Sequence, residues 1–224
     1  MILIKKSREP NELLAYRKKS DASYSGMPWE IKASIKKSLV REQGHLCAYC
    51  MSRLPDNGLD DPGNTDVTIE HWNPQKPAGG KVAHDALDYR NMLAVCNGNR
   101  GGHGGNMTCD ASKGNKRLTV NPLKEDTLYG IYYTSNGEIH SSNAEVDKDL
   151  VDTLNLNCTA VSLPQRRLEA LRRMWAIIHK RCADKEATRG MLQSMLREYE
   201  DASEYKTPYV GILTNWLKRK LRAQ

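Results

Sequence analysis

Four cysteines in the first half of the chain constrain its fold more than any other feature. Cys47 and Cys50 form a C-x-x-C pair, and Cys96 and Cys109 follow further along. The tight turn of a C-x-x-C pair directs both sulfur atoms at one ion, and four thiolates close a tetrahedral zinc site. Structural zinc is worth on the order of 10 kcal/mol in small zinc-finger peptides. The spacing therefore predicts a structural zinc ion in a small, loop-rich centre.

Other uses of the cysteines compete with zinc. The twelve residues between Cys96 and Cys109 are a wide gap for a zinc half-site. A redox C-x-x-C is the main alternative, but thioredoxin-like sites follow a βαβ pattern that this sequence lacks. Cys158 and Cys182 lie in predicted helical territory, where a free cysteine is usually a small buried hydrophobe. We therefore exclude those two from the predicted site.

The order of predicted elements indicates an α+β fold. Ile31, Ile35 and Leu39 mark one face of a helix that spans residues 29–42. Residues 97–108 contain five glycines among twelve and are expected to be irregular. The other predicted elements are a strand at 67–72, a helical or tightly turned segment at 88–96, a short helix at 110–117, a hairpin at 127–141 and helices beyond residue 147.

These elements divide the chain into three segments. Residues 1–46 form an N-terminal segment with one helix, residues 47–141 form the zinc-bound centre with the hairpin, and residues 142–224 form a C-terminal helical region. No apolar run approaches the ~20 residues that a membrane span requires. The apolar part of the N-terminus is also too short for a signal peptide. We expect a soluble, cytoplasmic protein without a membrane partner.

The net charge of +7 is unevenly distributed. Residues 1–46 carry a net charge of +5, residues 47–156 carry −5 and residues 157–224 carry +7. Basic segments suit a phosphate backbone, and an acidic centre suits a divalent metal with oxygen ligands. Charged, solvated helix faces are the plain alternative. Under the first interpretation, nucleic-acid binding would depend on Arg166, Arg167, Arg172 and Arg173.

A carboxylate and a histidine lie side by side between the cysteine pairs, as Glu70 and His71. Such pairs are common and often structural. Phosphodiester hydrolysis, however, needs a base for the attacking water and a cation for the leaving oxygen. A neutral histidine suits the first role, and a carboxylate that holds Mg²⁺ or Mn²⁺ suits the second.

This arrangement resembles the HNH, or ββα-metal, nuclease motif. The order of the motif is followed by Glu70, His71 and Asn91, which lie between Cys50 and Cys96, and by Asp110 and Lys113, which come after Cys109. The resemblance implies that His71 activates water, that Asn91 orients its ring, and that Glu70 and Asp110 hold the catalytic metal. Lys113 matches a lysine that is frequent in the family.

Two departures from the motif concern its last part. The third residue of the namesake triad is Asp110 instead of His or Asn, and Asp is a sound Mg²⁺ ligand. The glycine-rich stretch before it is unusual for the broad family. This stretch offers Asn99, His103 and Asn106 as rival metal ligands.

The glycine-rich insert narrows the resemblance to the PtuB-type HNH proteins. Further likeness comes from Cys-Ala-Tyr-Cys, Ile-Glu-His-Trp-Asn-Pro, Cys-Asp-Ala-Ser-Lys-Gly and a later Leu-Asn-Leu-Asn at 154–157. Such proteins act with a PtuA-type ATPase in Septu antiviral defence, and similar pairs are effectors of retrons. The resemblance thus implies a nucleic-acid substrate, an ATPase partner and, in a retron, a reverse transcriptase with its DNA. DNA is the favoured substrate, with RNA such as tRNA as the alternative. A non-catalytic zinc module that binds nucleic acid or a partner is a further alternative.

Overall fold

Helices and two small antiparallel sheets make up the regular structure of the described residues. The computed structural model describes residues 1–76, 85–102, 105–182, 186–201 and 204–223. The helices are α1 (Asn11–Tyr16), α2 (Trp29–Glu42), α3 (Cys109–Lys113), α4 (Ala144–Lys148), α5 (Leu163–Cys182), α6 (Arg189–Glu200) and α7 (Val210–Ala223). The strands are β1 (Val67–His71), β2 (Met92–Cys96), β3 (Ile131–Tyr133) and β4 (Ile139–Ser141). The fold is therefore α+β, as predicted.

Strands β1 and β2 form the sheet that carries the candidate site. They pair antiparallel, with His71 opposite Met92. The prediction of a helical or tightly turned segment at 88–96 was wrong for its second half, because only Tyr89–Asn91 forms a 3-10 turn before β2 begins. Residues 92–95 are all buried. A strand buried on both faces shows no alternation of polar and apolar residues, so its pattern does not distinguish it from a buried helix.

The chain before Cys47 packs against the outer edge of β2. Helix α2 has the predicted bounds, and the structure adds the short helix α1, which the sequence did not predict. The Gln43 side chain donates to the Ala94 carbonyl and accepts from the Ala94 amide, each at 2.8 Å. The Ala48 amide donates to the same carbonyl at 3.1 Å. These bonds satisfy the Ala94 amide and carbonyl on the edge of β2 that does not pair with β1, and they place the C-x-x-C turn beside that edge.

One hydrophobic core contains residues of all three predicted segments. Leu39, Leu93, Leu156 and Leu217 are fully buried members of it. The predicted hairpin is confirmed as β3–β4, and α7 packs on α5, on α6 and on β3. Among the described helices, none combines the length and apolar character that crossing a membrane requires.

Arg167 in α5 belongs to this core, which contradicts its predicted role in binding nucleic acid. Its side chain is fully buried. Its guanidinium donates to the carbonyls of Gly137 and Leu156, at 3.1 and 2.7 Å, and to Asn157 Oδ1 at 3.3 Å. Burial lowers the pKa of Arg167. The sequence placed it on the solvated basic face, whereas the guanidinium in fact satisfies backbone carbonyls of the hairpin turn and the loop before α5.

Candidate functional site

The four predicted cysteines lie together, which confirms the grouping expected from their spacing. The sulfur atoms lie within 4.8 Å of one another. The Cys47–Cys109, Cys50–Cys96 and Cys96–Cys109 sulfur pairs are each 3.8 Å apart, and all four thiols are free of disulfides. A tetrahedral zinc ion with Zn–S bonds of about 2.3 Å places its sulfurs about 3.8 Å apart. The cluster can therefore hold a metal ion such as zinc.

Local backbone geometry explains why these four thiols converge. The Met51 amide donates to the Cys47 carbonyl, which closes the C-x-x-C turn, and Met51 has a positive φ of 63°. Cys96 ends β2, next to that turn. Cys109 opens α3 with a φ of 53°, and its amide donates to the Leu154 carbonyl. The cluster therefore links the turn, the β-sheet and the helix.

The glycine-rich insert makes the wide gap between Cys96 and Cys109 compatible with one cluster. Gly98 has a φ of +67°, and a Cβ there would lie 2.2 Å from the Thr108 carbonyl oxygen. The Thr108 amide donates to the Gly98 carbonyl, so the insert returns to its starting point. Asn155, from the Leu-Asn-Leu-Asn stretch, donates to the carbonyls of Gly105 and Met107. Residues 103 and 104 lie outside the described part of the insert.

Packing four thiols together, three of them buried and that of Cys96 partly exposed, changes their acidity unequally. Burial raises the pKa of Cys47, whereas hydrogen bonds from Cys109 and its neighbours lower the pKa of Cys50. Four adjacent thiolates would repel one another unless a cation compensated their charge. Such a cluster accordingly favours a bound divalent ion, whose binding would release thiol protons. Cys158 and Cys182 are not in the cluster, in agreement with the prediction.

Glu70 lies at the centre of a second polar group directly beside the cysteine cluster. Its Oε1 accepts from the Tyr49 hydroxyl at 2.9 Å and pairs with Lys113 Nζ at 2.5 Å. Burial, followed by the side chain of Asp110, raises the pKa of Glu70 to about 8, and Lys113 opposes this effect. Tyr49, within the C-x-x-C pair, thus connects the cysteine turn to the carboxylate.

Lys113 acts on the backbone as well as on Glu70. Its side chain is fully buried, and its Nζ donates to the His71 carbonyl at 2.9 Å. A lysine in this position fixes the end of β1 against α3. Lys113 therefore contacts Glu70 and the backbone from a buried position, and its catalytic role stays a prediction.

His71 is held in one tautomer by its two hydrogen bonds. Nε2 lies 2.9 Å from the Ala86 carbonyl, and Nδ1 lies 3.0 Å from the Gln75 amide nitrogen. Because a carbonyl oxygen can only accept, Nε2 carries the proton and Nδ1 is the basic nitrogen. The ring lies nearly perpendicular to that of Tyr24, at a centroid distance of 4.5 Å. Burial lowers the pKa of His71, which favours the neutral ring.

Asn91 supports His71 without touching its ring. Its Oδ1 accepts from the Asn73 amide at 2.8 Å, and its Nδ2 donates to the carbonyls of Asn73 and Asp85. These bonds join the turn that follows His71 to the residue that precedes Ala86. Asn91 therefore bonds to the backbone next to Ala86, and the prediction that it orients the His71 ring stays a prediction.

Asp110 is the partly exposed carboxylate of the group. It lies on α3, which is shorter than the predicted 110–117 helix. Its Oδ2 pairs with Arg100 of the insert at 2.7 Å. Of the rival ligands, Asn99 donates to the Asn106 carbonyl at 3.1 Å, and His103 lies outside the described residues. Asp110 is the carboxylate whose side chain helps to raise the pKa of Glu70, and Arg100 is its present counter-ion.

Sequence reasoning missed four side chains of this site. Tyr49 could have been noticed, because it stands inside the C-x-x-C pair. Gln75 lies four residues after His71 but in a stretch without regular periodicity. Tyr24 and Arg100 have no signal in the sequence, since their proximity depends on how separate loops pack.

Comparison with known proteins does not assign the chain to a family. No protein-family model matches the chain, and no curated protein is similar to it at a significant level.

Proposed function

We propose that the chain is a metal-dependent HNH-type nuclease with a structural zinc ion at the four cysteines. The observation that carries the proposal is the meeting of Glu70 and His71, at the end of β1, with Asp110 and Lys113 of α3, beside the cysteine cluster. The order of two antiparallel strands and a short helix supports the resemblance to the ββα-metal motif. A basic nitrogen and two adjacent carboxylates are groups that metal-assisted phosphodiester hydrolysis uses.

His71 would take the proton of the attacking water on Nδ1, while the Ala86 carbonyl holds the Nε2 proton in place. The water would take the position now used by the Gln75 amide. Glu70 and Asp110 would hold Mg²⁺ or Mn²⁺, which supplies positive charge at the leaving oxygen when bound. Arg100 would leave Asp110 as the cation arrives, because both compete for the same carboxylate.

The affinity for Mn²⁺ is expected to rise with pH. Because the pKa of Glu70 is raised to about 8, the carboxyl holds a proton below that pH that the cation must displace. The apparent affinity should increase by about tenfold per pH unit up to about pH 8 and then level off. Calorimetric titration of the zinc-loaded chain measures this dependence. Glu70→Gln should lose both the affinity for Mn²⁺ and its dependence on pH. The control Glu30→Gln, at an exposed position, should behave as wild type.

Asn91→Ala is expected to lower kcat by about 10–100-fold with little change in KM. The reason is that the variant loosens the backbone that aligns His71 but removes no contact with substrate. Steady-state cleavage kinetics separate the two parameters, with the exposed loop variant Asn57→Ala as the control. An increase in KM at unchanged kcat would instead assign Asn91 to substrate binding.

A direct test of the proposed activity compares plasmid DNA, single-stranded DNA and total cellular RNA as substrates, with and without Mn²⁺. Cleavage that requires Mn²⁺ and is lost in Glu70→Gln supports the proposal. The preferred substrate distinguishes DNA, which we favour, from RNA such as tRNA. No cleavage of any substrate under all conditions, including with an ATPase partner, would contradict it.

A non-catalytic zinc module is the second candidate, because Glu70 and His71 are only 4% and 3% exposed. Such a module needs the four cysteines but no second metal. One tightly bound zinc ion without a site for Mn²⁺ would favour it. Binding of Mn²⁺ that depends on Glu70 and Asp110 would favour the nuclease.

We further propose, from the PtuB-type resemblance, that the chain acts in antiviral defence with a PtuA-type ATPase and, in a retron, with a reverse transcriptase and its DNA. Co-purification with such an ATPase and a change in cleavage on its addition test this. Absence of a complex would remove the partner from the proposal without affecting the metal-site predictions.

A further inference from the structure

A concave surface lies along α7 and β3 and shares no residue with the candidate nuclease site. Two neighbouring cavities, of about 640 and 940 Å³, make up this surface. Tyr132, Tyr133, Asn215 and Arg219 line both cavities. We call the surface formed by the two cavities the α7 groove.

The α7 groove is strongly basic. Its walls carry six cations against two carboxylates, Glu125 and Glu200. Lys218 pairs with Glu200 at 2.7 Å. Within the described ranges of the chain, Arg219, Lys220 and Arg222 have no carboxylate as an ion-pair partner, and all three are exposed. The groove therefore presents uncompensated positive charge on one face of α7.

Aromatic rings accompany these cations. Tyr129, Tyr132 and Trp175 are 68%, 43% and 37% exposed and line the groove. Trp175 contacts Trp216 with ring centroids 6.0 Å apart, and Lys220 lies 5.7 Å from the centre of the Trp216 ring. Burying such rings is favourable, so large exposed aromatics beside one another commonly mark an interaction surface. Their combination with cations restricts the chemistry of the ligand.

We propose that the α7 groove binds single-stranded nucleic acid. Phosphates would lie along Arg219, Lys220 and Arg222, while unpaired bases stack on the exposed rings. In a duplex the base faces are covered by their neighbours, so these rings have nothing to stack on. A purely electrostatic phosphate site would not need the rings, and an acidic protein surface would not supply flat bases. The groove thus combines the two elements by which proteins hold single strands.

Fluorescence anisotropy on the full chain tests this without Mg²⁺ or Mn²⁺, so that binding is measured apart from cleavage. The probes are labelled oligothymidylate, oligouridylate and a duplex, each of about 20 nucleotides. Both single strands should bind more tightly than the duplex, and their relative affinity distinguishes DNA from RNA. Equal or tighter binding of the duplex would overturn the proposal.

Charge variants distinguish the groove from general basicity. Arg219→Gln with Arg222→Gln should weaken single-strand binding by about tenfold or more and reduce the slope of affinity against salt by about 1.4, since two phosphate contacts are lost. Arg8→Gln with Arg41→Gln removes the same charge from exposed positions outside the groove and is the matched control. An equal loss of single-strand affinity in the two double variants would overturn the proposal.

Ring variants test stacking separately. Tyr132→Thr, which keeps a β-forming residue in β3, should weaken single-strand binding by about fivefold or more and leave the salt slope unchanged. Tyr129→Ala, at a largely exposed position, gives the same test should Tyr132→Thr alter thermal unfolding. Affinity equal to wild type in both ring variants would assign the groove to a protein partner and overturn the proposal. Because no cleavage is measured, a failure of the nuclease proposal would leave this test intact.

Discussion

Replacing His71 by alanine is expected to lower phosphodiester cleavage by about 10²–10⁴-fold, the usual contribution of a positioned general base. The variant removes Nδ1, the basic nitrogen of the ring, while the Glu70 and Asp110 carboxylates remain. Affinity for zinc and for Mn²⁺ should therefore stay close to that of the wild type. Single-turnover cleavage at saturating Mn²⁺ measures the loss independently of product release.

The design of this experiment uses a second histidine as its control. His179 is exposed on α5, far from the residues of the candidate site along the chain. His179→Ala should cleave like the wild type. Cleavage by His71→Ala at the wild-type rate would refute the assignment of the base, even if metal dependence were observed.

His71→Gln adds a test of the tautomer. Glutamine has an amide that can donate to the Ala86 carbonyl but carries no basic nitrogen. It should preserve stability better than alanine and be equally inactive. Activity in this variant would show that the hydrogen bond to Ala86, and not proton transfer to Nδ1, is what His71 contributes.

Cys109→Ser is expected to abolish stoichiometric zinc binding and to unfold the centre of the molecule. Structural zinc supplies on the order of 10 kcal/mol in small zinc domains, which is comparable to the whole stability of a typical protein, about 5–15 kcal/mol. Cys109 also begins α3, so its release would displace Asp110 and Lys113. Cleavage should disappear although the residues proposed for catalysis are unchanged.

Elemental analysis for zinc per chain and thermal unfolding measure these effects. Cys182→Ser is the matched control, because Cys182 lies outside the cluster and its sulfur is 3.3 Å from the Met191 sulfur. The control should retain zinc and unfold near the wild-type temperature. Full zinc content in Cys109→Ser would exclude a four-cysteine site.

The cysteine cluster and α2 were predictable from the sequence. The residue types of the cluster allow few kinds of site, and the pattern of α2 is local. A C-x-x-C turn positions two sulfurs within four residues, and few alternatives exist for four cysteines outside a disulfide-rich protein. The apolar positions of α2 repeat at helical spacing and predicted its bounds. The hairpin β3–β4 was likewise indicated by the Asn136-Gly137 turn between short β-prone runs.

The β2 strand was not predictable from its own residues. Its apolar run is buried on both faces and therefore shows no strand pattern. The segment is a strand because other parts of the chain bond to its edges: β1 pairs with one edge and Gln43 with the other. Arg167 was misplaced for a similar reason. A charged residue on an amphipathic helix is expected in solvent, unless distant carbonyls such as that of Gly137 require a donor.

By itself the sequence determined which chemical groups are available: four thiols, the adjacent Glu70 and His71, and an acidic centre between basic segments. Only the tertiary structure decided which of these groups contact one another. Tyr49 and Lys113 bond to Glu70, and Arg100 pairs with Asp110. The cations of α7 lie beside exposed aromatic rings. The physical reason is that residue types fix donors, acceptors and charges. Burial and pairing partners, which set pKa values and accessibility, depend on contacts between segments distant in the chain.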